Sequence, residues 1–264
     1  MKKLAIVFSL IFLCMVAFYF FILRPEKNEE IDLYEKILER GVIKVGINTD
    51  SKPFGFIDTD GSIVGYDADL ARYIAQYILK NPKRVEFVAV TPANRMIKAS
   101  TGEVDIVIAT MTITPQREEI IDFSIPYDSA GQALLVNSSS KITSISDLSG
   151  QNVGVIWGTT AEKNLLSLVP TANVIGFKTY GEAYQALKKN QINAITSDDT
   201  ILSSFAIQDK DVKLLPKRYS REPYGIGMKK GKSTTKLKEV INEAIQDMKQ
   251  KNVINRLHKT WLEK

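Results

Sequence analysis

Two chemically useful residue types are nearly missing from this chain of 264 residues, which has one histidine, His258, and one cysteine, Cys14. A lone histidine near the C-terminus, remote from every motif described below, excludes His-based acid–base catalysis and a histidine metal site. The single cysteine lies in the apolar front, so everything behind it has no disulfide and no thiol chemistry. Concentrated charge is scarce too. The net charge of +5 is spread along the chain. Its richest cluster, Met228-Lys229-Lys230-Gly231-Lys232, lacks the interleaved aromatics of a nucleic-acid surface and reads as a solvated turn. No internal repeat is evident.

Long hydrophobic runs are absent with one exception. Lys2 and Lys3 precede an uncharged stretch from Leu4 to Leu23, and about 20 residues at roughly 1.5 Å each span the ~30 Å hydrocarbon core. The bulky residues from Val16 to Leu23 offer no small-residue cleavage site. Ile11-Phe12-Leu13 is a poor lead-in for a lipid-carrying Cys14. Residues 1–30 are therefore expected to be a signal anchor and linker, with Lys2 and Lys3 on the cytoplasmic side and the remainder outside.

Behind the linker, strands and helices alternate. Val42 to Ile47 reads as a strand that ends in the turn-rich loop Asn48 to Pro53. Asp67 is a candidate cap for a helix whose Leu70, Ala71, Ile74, Ala75 and Ile78 share one face. After the strand Val85 to Val90, Thr91-Pro92 opens a second helix. Arg95 falls in its first turns, where the helix dipole opposes a cation unless an anion stands nearby. The apolar strand Val104 to Ala109 then delivers Thr110-Met111-Thr112-Ile113-Thr114-Pro115-Gln116-Arg117. Alternate hydroxyls, a Thr-Pro helix start and an arginine in the first turn are the donors that grip a small carboxylate at a strand end.

A second series repeats this grammar. Val153 to Ile156 is a strand, Trp157-Gly158-Thr159-Thr160 a loop, and Ala161 to Val169 a helix whose N-terminus leaves amides free for an anion. Ile192 to Thr196 is a strand ending on Ser197-Asp198-Asp199, where an aspartate serves either as an acid site or as a helix cap. An α-amino acid needs an arginine with hydroxyl donors for its carboxylate and an acid for its ammonium. Arg117, Thr110 and Thr112 face Thr159, Thr160 and Asp199 in that role. Arg95 suits a ligand with a second carboxylate.

The segments Gly65-Tyr66-Asp67-Ala68-Asp69-Leu70, Val104 to Arg117, Asp122-Phe123-Ser124-Ile125-Pro126-Tyr127, Asp147-Leu148-Ser149-Gly150-Gln151, Ser197-Asp198-Asp199 and Pro223-Tyr224-Gly225-Ile226 occur in an informative order. In them the chain resembles the solute-binding proteins of polar amino-acid ABC importers. The resemblance implies an α/β, type II periplasmic binding fold of two lobes joined by a two-stranded hinge, closing on one ligand. Lobe 1 is expected over 31–135 plus 229–264, and lobe 2 over 136–228.

In that family the arginine at Arg117 clamps the α-carboxylate and the aspartate at Asp199 takes the ammonium. Thr110 contributes its carbonyl, Thr112 its hydroxyl, and Asn48 reaches the ligand. Arg95 in its Thr-x-x-Asn-Arg context, with Thr159 and Thr160 for a distal carboxylate, resembles members that bind glutamate or aspartate. Ile156 departs from the polar residue many members carry there. Glutamine or another polar amino acid is the alternative ligand, and a ligand-binding sensor component the alternative role. The expected partners are the amino acid, an ABC permease and, through the front segment, the membrane, with no nucleic acid. A monomer on the extracytoplasmic face of the bacterial membrane is expected, without cofactor, metal or enzymatic activity.

Overall fold

Short apolar runs separated by turn residues pair into sheets, and the computed structural model describes this for residues 32–263, together with Met15 and Tyr19. The expected anchor, with Cys14 and the linker, otherwise lies outside the described residues. No helix among the described residues is long and apolar enough to cross a membrane. In chain order the strands are β1 (Ile43–Asn48), β2 (Asp50–Ser51), β3 (Gly55–Ile57), β4 (Ile63–Val64), β5 (Val85–Val90), β6 (Ile106–Val107), β7 (Ile121–Phe123) and β8 (Asp128–Ala130). They continue with β9 (Gln132–Asn137), β10 (Asn152–Ile156), β11 (Asn173–Phe177), β12 (Ala194–Asp198), β13 (Val212–Leu214), β14 (Glu222–Tyr224) and β15 (Gly227–Lys229).

Of the two five-stranded sheets, one has the order β5-β1-β6-β15-β7 and the other β11-β10-β12-β9-β13, each the floor of one lobe. β1 runs parallel to both of its neighbours. Its Ile43, Val45 and Ile47 are fully buried on one face, and Gly46 and Asn48 are buried on the other, so the strand is covered on both faces. The helix Tyr66–Leu79 buries Leu70, Ala71, Ile74, Ala75 and Ile78, the face its periodicity defines. Each larger side chain so buried contributes about 1.5–3 kcal/mol. The helix start differs from expectation. Its cap position is Gly65, at φ 123°, where a Cβ would come within 2.2 Å of the Phe54 carbonyl oxygen, so only glycine fits. Asp67 sits inside the first turn, and its carboxylate serves another purpose.

The chain passes between the lobes twice, in β8 and β14, which pair antiparallel with Ala130 opposite Glu222 and Asp128 opposite Tyr224. β9 pairs only within the second sheet, and β15 only within the first. The crossings therefore precede the expected boundaries at 135 and 228. In the first lobe β1 and β6 point the same way, and in the second β10 and β12 do. Asn48, the Thr110 turn, Ile156 and Asp198 all lie at the carboxyl ends of those strands, where open α/β sheets place their ligands.

Candidate functional site

The turn after β6 is organised around a single peptide group. Ile108 still donates its N–H to Gly46 O at 2.9 Å, and then Thr110 turns left-handed, with φ 47°. A β-branched residue adopts that conformation only when its surroundings hold it there. Both sides of the Ala109–Thr110 peptide are held. The Ala109 carbonyl accepts from Asn48 Nδ2 at 3.4 Å and from the Arg95 guanidinium, while Thr110 N–H donates to Asp67 Oδ2 at 3.1 Å.

Further on, Thr114 caps the short helix Pro115–Glu118 by accepting Arg117 N–H at 3.3 Å. Arg117 is thereby set in the first turn, 8% exposed. Its Nη1 donates to Thr112 O at 2.8 Å and its Nη2 to Gly158 O of the other lobe at 2.9 Å. It pairs with neither Glu118 nor Asp122; the latter meets Lys238 at 3.4 Å instead.

Arg95, 3% exposed, is the first residue of its helix, Arg95–Thr101. That helix begins later than Thr91-Pro92 indicates, because Asn94 takes the cap position and folds its Oδ1 back onto Thr91 N–H at 2.8 Å. The hydrogen bonds of Arg95 and Arg117 go to carbonyls. Burial, and after it the neighbouring Arg95 charge, pulls the Arg117 guanidinium down to about 10, and burial lowers Arg95 as well. Two buried guanidiniums bonded to carbonyls have the chemistry to accept an anion, which would relieve both costs.

Across the cleft, Gly158 has φ 83°, and a Cβ there would come within 2.3 Å of Pro92 O in the first lobe. Glycine thus lets the loop touch its opposite wall. Tyr180 N–H adds a second contact between the lobes by donating to Asp50 Oδ2 at 3.3 Å. The hydroxyls expected to face a distal carboxylate are engaged within the second lobe and its hinge strand. Thr159 donates to Ile156 O at 2.8 Å, and Thr160 to Glu222 Oε2 at 3.0 Å. Glu222, 3% exposed, also accepts from Asn164 at 2.9 Å and Ser220 at 2.7 Å.

The paired aspartates divide in an unexpected way. Asp199, expected at the ammonium, instead accepts Gly131 N–H at 3.0 Å and meets Arg218 Nε at 2.5 Å. Asp198 is the buried acid of the two, 9% exposed, and accepts Tyr224 O–H at 2.6 Å. Burial pushes its carboxyl up to about 6, opposed by that hydrogen bond and by the Arg95 charge. Of the pair, the acid that interacts with Arg95 is therefore Asp198. Sequence reasoning read Asp67 only as a helix cap and passed over Glu222 and Tyr224 as individual groups, although the Pro-Tyr-Gly segment that carries Tyr224 stood out. Finally, two buried polar atoms near the Ala109 carbonyl, Asn48 Oδ1 and Arg95 Nε, have no hydrogen-bond partner among the described residues.

Two α/β lobes joined by a pair of strands, with a cationic cleft at the strand ends, define the class of two-lobed periplasmic binding proteins. The chain belongs to the bacterial extracellular solute-binding proteins, family 3, whose model matches residues 43–264. It is 37% identical over 238 residues to a glutamine-binding protein of an ABC transporter from Bacillus subtilis (strain 168), covering 89% of this chain and 86% of that one. It is 40% identical over 207 residues to the glutamine-binding protein of Geobacillus stearothermophilus, covering 78% of this chain and 79% of its relative. Among solved structures, the cysteine-binding protein from Campylobacter jejuni is similar at a TM-score of 0.84 and 30% identity, over 88% of this chain and 93% of that one.

Proposed function

We propose that this protein captures L-glutamine between its lobes on the extracytoplasmic side of the membrane and delivers it to an ABC permease. One observation carries the choice of ligand. Asn48 Nδ2 donates to the Ala109 carbonyl, which fixes the orientation of that amide and leaves Oδ1 as a buried acceptor. Arg95, bonded to the same carbonyl, keeps Nε–H as a buried donor. A carboxamide brings one donor and one acceptor and satisfies both atoms. A carboxylate satisfies only Arg95 and turns a lone pair toward Asn48 Oδ1, at the cost of an unmade hydrogen bond, about 1–3 kcal/mol.

The two threonines favour the same ligand over glutamate or aspartate. Each has already donated its hydroxyl proton, Thr159 to Ile156 O and Thr160 to Glu222, so each offers a ligand an acceptor only. Arg117 and Thr112 take the α-carboxylate, and Asp198 with the Thr110 carbonyl takes the ammonium. Closure brings the Gly158 loop onto the first lobe, where Arg117 Nη2 meets Gly158 O, and shuts the ligand in behind that contact. Two relatives named as glutamine-binding support this reading, and one is named as part of an ABC transporter, which supports the permease as partner.

A thermal-shift series against the twenty amino acids tests it, since a ligand that binds only the folded form raises apparent stability. L-glutamine is expected to give the largest shift. A larger shift with glutamate, aspartate or cysteine would contradict the reading.

A further inference from the structure

Asp67 has no place in the helix cap it resembles, and no role in the clamp just described. It is completely buried at the start of the helix Tyr66–Leu79. Its Oδ2 accepts Thr110 N–H at 3.1 Å and its Oδ1 accepts Tyr127 O–H at 3.0 Å. Neither partner is a cation. The first of these bonds falls on the N–H of the very peptide whose carbonyl holds Asn48 and Arg95. The second falls on the residue directly before the hinge strand β8, whose ring lies 6.1 Å from that of Tyr224, the donor to Asp198.

We infer that Asp67 is a positioning residue for side-chain recognition: by holding Thr110 in its left-handed turn it sets the Ala109–Thr110 peptide, and through that peptide aims Asn48 and Arg95 at the end of the ligand. The inference rests on the ligand reading above. It adds an electrostatic consequence, because ionised Asp67 also offsets part of the Arg95 charge. With Asp67 ionised, Arg95 is partly balanced and a neutral carboxamide is favoured. With Asp67 neutral, Arg95 has more charge to spare and a carboxylate gains.

Burial pushes the Asp67 carboxyl up to about 7, so this balance shifts within an accessible pH range. The groups facing it are Arg95, the hinge residues Tyr127 and Asp128, and its own neighbour Tyr66. His258 acts one step further away, 3.1 Å from Asp128 and packed edge-on against Tyr66 at 5.4 Å. Asp198 titrates separately, near 6.

The test is calorimetric titration of wild type, Asp67→Asn and Tyr127→Phe with L-glutamine and L-glutamate from roughly pH 5.5 to roughly pH 8.5, a range that brackets both carboxylate steps. The readout is the ratio of the two dissociation constants, which a loss of general stability leaves unmoved. In wild type the preference for glutamine is expected to weaken several-fold on acidification through the Asp67 step. Asp67→Asn is expected to show the weakened preference throughout, keeping only the lower step that belongs to Asp198. Tyr127→Phe, which removes one donor to the carboxylate, is expected to move the upper step to higher pH. A ratio and profile in Asp67→Asn matching wild type would overturn the inference, as would a wild-type ratio with no upper step should that variant fail to fold. A wild-type preference for glutamate would overturn the ligand reading and leave the Asp67 step readable in the same data; binding of neither would overturn both.

Discussion

In the first lobe Asn48 and Arg95 keep hydrogen-bonding capacity in reserve beside the Thr110 turn, whereas in the second the threonines and Asp199 expected at the ligand are spent on neighbouring protein groups. Asn48 and Arg95 share one carbonyl and each retains a buried atom without a partner among the described residues. Thr159, Thr160 and Asp199, by contrast, are bonded to Ile156, Glu222, and Gly131 with Arg218. In the proposed reading the first wall is the recognising surface, and the second a shaped lid that brings one acid, Asp198, and a glycine that permits close approach. Free valence, more than residue type, separates a ligand contact from a structural one.

The comparison breaks most directly at Arg117. Arg117→Ala leaves the α-carboxylate unpaired in a buried site and is expected to cost about 3–5 kcal/mol, more than a hundredfold in affinity by calorimetry. Wild-type affinity would remove the first wall from the site. The aspartate pair gives the next largest effect. Asp198→Ala is expected to weaken glutamine by at least about tenfold, from the loss of a charge-assisted contact. Asp199→Ala is expected to weaken it far less while lowering the melting temperature, since it frees Arg218. The reverse order would reinstate Asp199 at the ammonium. A smaller effect is expected from Thr160→Val, which takes a donor from buried Glu222. Stability should fall by about 1 kcal/mol in denaturant unfolding, with little change in glutamine affinity.

The last effect is one of pH on the unliganded protein. Asp67 and Asp198 have folded-state values near 7 and 6, above the ordinary 3.8, so the folded form holds more protons than the unfolded form in between. Their contribution to stability is complete below the ordinary carboxylate value and is lost as pH rises through the folded values. Asp67→Asn carries no charge at either end, so relative to wild type it should be more favourable at pH 8 than at pH 5, read from melting curves at the two values.

Much of this was legible in the chain. The alternation of apolar runs with turn residues defines the strands, and the Thr-Pro start with Arg117 in its first turn appears as read, because capping is a local interaction. The face of the helix Tyr66–Leu79 was equally readable from its period. The Asp198-Asp199 pair was not, because every residue of β12 is buried and no alternation marks which side faces the cleft. Which acid stays free depends on Arg218, 19 residues away in sequence. Asp67 was misread for a related reason. A helix-start aspartate has a ready local explanation, and its real partners, Thr110 and Tyr127, are brought to it only by the tertiary fold. Thr159 and Thr160 carry the right chemistry for an anion, but a hydroxyl has one proton, and its destination is not written in the local sequence.

Recognition of a carboxamide through Asn48 Oδ1 and Arg95 Nε is the centre of the proposed specificity. Calorimetric titration of the unliganded protein with L-glutamine and with L-glutamate at pH 8, above the values of both Asp67 and Asp198, tests it most directly. Glutamine is predicted to bind more tightly by at least about tenfold, the equivalent of about 1.4 kcal/mol. Equal or tighter binding of glutamate would contradict that recognition.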